Sequence, residues 1–90
     1  MWTIIRFQAG GDALFPRLVE PVVAHFSGSA GCLRAELVRN MDDEDLWAIV
    51  TEWDAVGSYR RAMSGDATKM LLVPVLSLAL DEPSAYQEFA

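Results

Sequence analysis

Ninety residues with one cysteine and one histidine suit a single domain (1–90) and exclude both a disulfide and a structural zinc. Thirteen acidic and seven basic residues give a formal net charge of −6, which argues against nucleic acid and anionic membranes as partners, since no basic stripe neutralises phosphates. No apolar run reaches about 18 residues, so no membrane span is expected. The segment MWTIIRFQAGG lacks the basic start and cleavage site of a signal peptide, and the expected location is cytoplasmic.

Residues 2–8 alternate Trp2, Ile4 and Arg6 against Thr3, Ile5 and Phe7, which predicts a first strand. Gly10-Gly11 ends it, and Asp12 has the chemistry to cap the helix that follows. In that helix Phe15, Leu18, Val19, Val22, Val23 and Phe26 recur at three- and four-residue steps, the clearest helical stripe in the chain. Pro21 removes a backbone bond and is expected to kink or split it. Cys32 to Asn40 reads as a second strand, with Leu33, Ala35 and Leu37 opposite Arg34 and Glu36. Met41-Asp42-Asp43-Glu44-Asp45 is an acidic turn, short enough to make a hairpin with the next strand.

Leu46 to Trp53 is the stretch around which the rest is organised. Trp47, Ile49, Thr51 and Trp53 share one face, and only Glu52 spoils the other, as in a central strand. Asp54 is placed to cap a helix carrying Val56, Tyr59 and Met63, with Arg60 and Arg61 towards water. Ser64-Gly65 is expected to end it through a left-handed glycine, after which Asp66 caps another helix containing Met70, Leu71, Val73, Val75 and Leu78. Asp81-Glu82-Pro83 turns the chain into a short last strand, Ser84 to Phe89. The order is the β-α-β-β-α-β of the ferredoxin-like fold, with the second helix in two pieces. Such a sheet leaves one face open. With hydrophobic residues at 52% of the chain, pairing of that face in a homodimer is expected.

Gly31-Cys32, Arg39-Asn40, the acidic turn, Trp47, Thr51-Glu52-Trp53 and Tyr59-Arg60 together resemble the antibiotic biosynthesis monooxygenase domain. The tail, Pro74-Val75-Leu76 and then Leu80 to Tyr86, is similar to a branch common in actinobacteria. The resemblance implies a dimeric α+β barrel and, as function, cofactor-independent oxygenation of a small aromatic quinol or polyketide. A non-catalytic dimeric domain that binds a small apolar molecule, or is purely structural, is the alternative. The haem-degrading members are set aside. The first strand has no asparagine, Ala62 sits near the expected tryptophan, and no histidine follows Tyr59. Anthrone oxygenases of the family carry a tryptophan ending the third strand and a tyrosine six residues on, matched by Trp53 and Tyr59. Their asparagine four residues before the tryptophan is replaced by Ile49.

Trp53 and Tyr59 are therefore the candidate catalytic pair, each offering one donor to a developing oxyanion. With a pKa of about 10, tyrosine is a better donor than base at neutral pH. The competing reading makes both plain core residues. Arg39, Asn40 and His25 are the candidate substrate-binding residues. For the first two, closing the strand into its turn is the bland explanation; for His25, a solvated surface position is the stronger one. Cys32 reads as a small buried hydrophobe. No cofactor or metal is expected, because there is no phosphate cradle and no second histidine.

Overall fold

Period-two alternation becomes a four-stranded antiparallel sheet in the computed structural model, which describes residues 1–10 and 14–89. In chain order the elements are β1 (Trp2–Gln8), α1 (Leu14–Ser27), β2 (Cys32–Arg39), β3 (Leu46–Trp53), α2 (Val56–Ser64), α3 (Asp66–Leu76) and β4 (Ala85–Tyr86). The strand order β2-β3-β1-β4 puts β3 in the interior of the sheet, between β2 and β1. This is the ferredoxin-like α+β arrangement, with the second helix divided at Gly65. Among the described residues no helix is long and apolar enough to cross a membrane.

Register decides which side chains meet. Thr3 faces Thr51, Ile5 faces Ile49 and Phe7 faces Trp47, all on the side covered by the helices. There Phe7, Phe15, Val19, Val22, Phe26, Ile49, Trp53, Leu72 and Val75 form the core. Aromatic rings run through it. Phe15 lies 5.4 Å from Phe7 and 5.5 Å from Trp47, and Phe26 meets Trp53 edge-on at 6.1 Å. The opposite face presents Trp2, Ile4, Ala48 and Val50, all half-buried, and Val38, which is exposed.

Several local expectations are corrected. α1 runs unbroken through Pro21, so the proline does not split it. Both Pro21 and Arg17, whose carbonyl loses its partner there, are on the exposed side, where water serves the freed oxygen. The Asp12 cap lies outside the described residues. Leu33 does not share a face with Ala35 and Leu37. A bulge between Cys32 and Arg34 turns it out, 62% exposed, and Cys32 takes the inner position opposite Trp53.

Neither predicted carboxylate cap forms. The N-cap of α2 is Ala55 and that of α3 is Gly65. Asp66 is instead the first residue of α3, where its charge still suits the helix dipole. Gly65 has φ −70°, extended rather than left-handed, and ends one helix while starting the next. The last strand shrinks to Ala85–Tyr86, paired with Thr3 and Trp2.

Gly31 shows why the β3–α2 junction closes. Its φ of +85° is open to glycine and strained for other residues, and a Cβ there would collide with the Ser58 side chain. The carbonyl of Gly31 accepts from the Asp54 amide at 2.8 Å, and Asp54 accepts from the buried Ser58 hydroxyl at 2.5 Å. The side chain expected to cap the helix is therefore spent on Ser58. Gly31→Ala adds the left-handed cost of about 1–2 kcal/mol to an overpacking cost of about 1–3 kcal/mol. Chemical denaturation should show a loss of about 2–5 kcal/mol, and an unchanged midpoint would contradict this junction.

Candidate functional site

Running directly from β3 into α2 brings Trp53 and Tyr59 together, as their spacing predicts. The rings are 5.9 Å apart and edge-on. Their polar tips differ. Trp53 is 1% exposed, and its Nε1–H donates to Thr51 Oγ1 at 2.8 Å. Thr51 Oγ1 is in turn hydrogen-bonded to Thr3 Oγ1 across the sheet. The indole N–H is thus held by a buried threonine pair. Tyr59 is half-buried, and its hydroxyl has no hydrogen-bond partner among the described residues.

Tyr59 lines a cavity of about 190 Å³ between the β1 edge and the second pair of helices. Ile5, Met63, Leu72, Leu76 and Ala79 supply its apolar walls. The chain after α3 supplies the remaining side. This segment bonds to β1 at Gln8–Leu78, Leu80–Arg6 and Ile4–Ser84, at 2.8–2.9 Å. Between the last two, Asp81-Glu82-Pro83 bulges away and is tied back by Arg6. Its guanidinium donates to both Glu82 oxygens, at 2.8 and 2.6 Å. That pair of hydrogen bonds holds the Glu82 carboxyl below its ordinary value and pushes Arg6 up. Glu82 is a poor base as a result. Tyr59 also borders a shallower groove of about 310 Å³ with Val56, Arg60 and Tyr86, and it is the residue the two spaces share.

The other candidates lie elsewhere. The Arg39 guanidinium stacks over the Trp47 ring at 4.6 Å and donates to the Glu44 carbonyl at 2.8 Å. Asn40 Oδ1 accepts the amides of Asp42 and Asp43, both at 2.8 Å, which builds the acidic turn. Both residues line a third cavity, of about 380 Å³, with Leu46 and Trp47. The buried Nε1–H of Trp47 has no acceptor among the described residues. Neither residue joins Tyr59.

His25 is corrected from a solvated to a half-buried residue. The Thr68 hydroxyl donates to the Ala62 carbonyl at 2.6 Å and therefore accepts from His25 Nε2–H at 2.7 Å. His25 thereby ties α1 to the α2–α3 junction, beside a cavity of about 320 Å³ that also holds Ser58 and Arg61. Burial pushes the Cys32 thiol up, while its contact with the Arg34 carbonyl at 3.4 Å partly offsets this. That leaves it protonated and unreactive at neutral pH.

Sequence reasoning missed the threonine pair, the Ser58–Asp54 bond and the Arg6–Glu82 latch. Arg6 alone carried a signal, as the one charged residue in the first strand.

A family model for antibiotic biosynthesis monooxygenase matches residues 3–70. No curated protein sequence matches the chain. Among solved structures, SnoaB, a cofactor-independent oxygenase from Streptomyces nogalater, is similar with a TM-score of 0.81 at 20% identity, over 99% of this chain and 93% of that one. A conserved protein from Methanosarcina mazei Go1 gives a TM-score of 0.74 at 19% identity, over 93% and 84%. PA3566 from Pseudomonas aeruginosa gives 0.73 at 18% identity, over 98% and 93%. At these identities the likeness is one of fold.

Proposed function

We propose, from the premise that this chain belongs to the antibiotic biosynthesis monooxygenase family, that it oxygenates a small aromatic quinol or polyketide without a cofactor and works as a homodimer. The observation that carries the reading is Tyr59, whose hydroxyl has no partner among the described residues, lining a cavity between the apolar side chains of Ile5, Met63, Leu72 and Leu76 and the Arg6–Glu82 pair. An electron-rich phenol bound there gives its proton to bulk water at the cavity mouth and passes one electron to O₂. The two radicals join as a carbon–peroxide anion, which takes a proton back from water, and breaking its O–O bond with loss of the carbon's remaining hydrogen releases water and leaves a carbonyl, so that RH₂ and O₂ become R=O and H₂O. The protein supplies partly apolar walls and a donor to the substrate oxyanion. Tyr59 is that donor. Trp53, its N–H taken by Thr51, positions the Tyr59 ring. Arg39, Asn40 and His25 stay outside this step.

A purified sample given hydroquinones and naphthohydroquinones should consume O₂ in step with carbonyl product, above the autoxidation rate. The occupied indole N–H favours a second reading, a binding module with the same cavity and no chemistry. Binding of quinols with O₂ uptake at the background rate would establish that one instead.

The homodimer rests on the open sheet face. Trp2, Ile4, Ala48 and Val50 have no helix over them, and a second copy supplies the cover. Light scattering at micromolar concentration should return twice the chain mass of 9.9 kDa. A mass of one chain would remove the dimer.

A further inference from the structure

We infer that the edge of β1 between Ile4 and Arg6 is a second binding subsite in the Tyr59 cavity, where main-chain groups take a hydroxyl of the ligand; the inference rests on the functional reading above and deepens it. Ile4, Ile5 and Arg6 all line the cavity. Successive side chains of a strand point to opposite faces, so three consecutive residues border one space only where it runs along the strand's edge. That edge carries the peptide groups. In an antiparallel ladder a residue's N–H and C=O point to the same neighbour. The Ile4 N–H donates to the Ser84 carbonyl and the Arg6 carbonyl accepts from the Leu80 N–H, both at 2.8 Å, so both residues face the chain after α3. Their other groups, the Ile4 carbonyl and the Arg6 N–H, point the same way. Asp81-Glu82-Pro83 bulges out at that level, and neither group has a partner among the described residues.

The cavity edge therefore offers one main-chain acceptor and one main-chain donor, on either side of Ile5. A hydroxyl answers both at once, donating to the carbonyl and accepting from the N–H. A methyl group answers neither. With Tyr59 on the same cavity wall, the ligand that uses both subsites is an aromatic ring with two hydroxyls. A cavity of about 150 Å³ takes benzene, and the space of about 190 Å³ here has room for such a ring.

Both groups belong to the main chain, so a ligand series takes the place of substitution. Hydroquinone, p-cresol and p-xylene share one outline and exchange hydroxyl for methyl one end at a time. Apolar burial alone ranks p-xylene first and hydroquinone last. In oxygen-free calorimetric titrations of the full chain, hydroquinone should instead bind at least as tightly as p-cresol. In proton–nitrogen correlation spectra at saturation, hydroquinone should move the Arg6 amide proton downfield, as a new hydrogen bond does. p-Xylene, the control for ring-current shifts, should not. The Ile4 and Gln8 amides, already bonded to the Ser84 and Leu78 carbonyls, should move far less. Weaker binding of hydroquinone than of p-cresol, an Arg6 amide that moves no further than with p-xylene, or no binding by either phenol overturns the inference. O₂ uptake is read separately in aerated buffer. The Arg6 shift without oxygenation keeps the subsite and removes the oxygenase reading.

Discussion

Trp53→Ala should cost about 3–5 kcal/mol of stability, the range for emptying a large aromatic from a packed core. The reasons are local. Trp53 is 1% exposed, meets Phe26 edge-on at 6.1 Å, and caps the Thr51–Thr3 hydroxyl pair with its N–H. Removing it leaves a cavity and a buried threonine oxygen short of one donor. For a domain of this size each kcal/mol moves the melting temperature by about 4–8 °C, so thermal melting should fall by on the order of 20 °C. Trp53→Phe keeps most of the volume and should lose far less. A Trp53→Ala protein melting within a few degrees of the wild type would show that the indole is not the core element described.

Tyr59→Phe should do the reverse. The hydroxyl has no protein partner among the described residues, so removing it strands no buried group, and stability should shift by about 1 kcal/mol or less. Turnover should fall by on the order of 10²–10³, the usual loss for one oxyanion donor. The ring and its 5.9 Å contact with Trp53 remain, so quinol binding should weaken much less than turnover. Oxygen uptake by matched amounts of the two proteins gives the comparison. Equal rates would take Tyr59 out of the chemistry. A parallel loss of binding and turnover would make it a binding residue only.

The contrast between these residues shows how far the sequence carries. Alternation and helical spacing made the three long strands and the core stripe of α1 legible, because burial acts on every second or every third-to-fourth residue. The closeness of Trp53 and Tyr59 followed from a strand entering a helix without a loop. What the indole N–H does was not legible, since Thr51 becomes its acceptor through a rotamer and Thr3 joins through register with a strand 48 residues away. His25 and Thr68, 43 residues apart, meet only once α1 packs on α3. The helix caps failed for a related reason. Asp54 is a good cap by chemistry, but Ser58 is the nearer donor once Gly31 closes the junction. At Leu33 one extra residue in β2 was enough to reverse a face.

The central claim is that ligands enter beside Tyr59 rather than at the β2–β3 turn or beside His25. Methyl NMR of the full chain during a 1-naphthol titration tests this without requiring turnover. The methyl signals of Ile5, Met63, Leu72 and Leu76 should shift together and saturate with one affinity, while Val38, Met41 and Leu46 stay in place. Saturating shifts at Val38, Met41 and Leu46, with the Tyr59 cavity silent, would contradict the account.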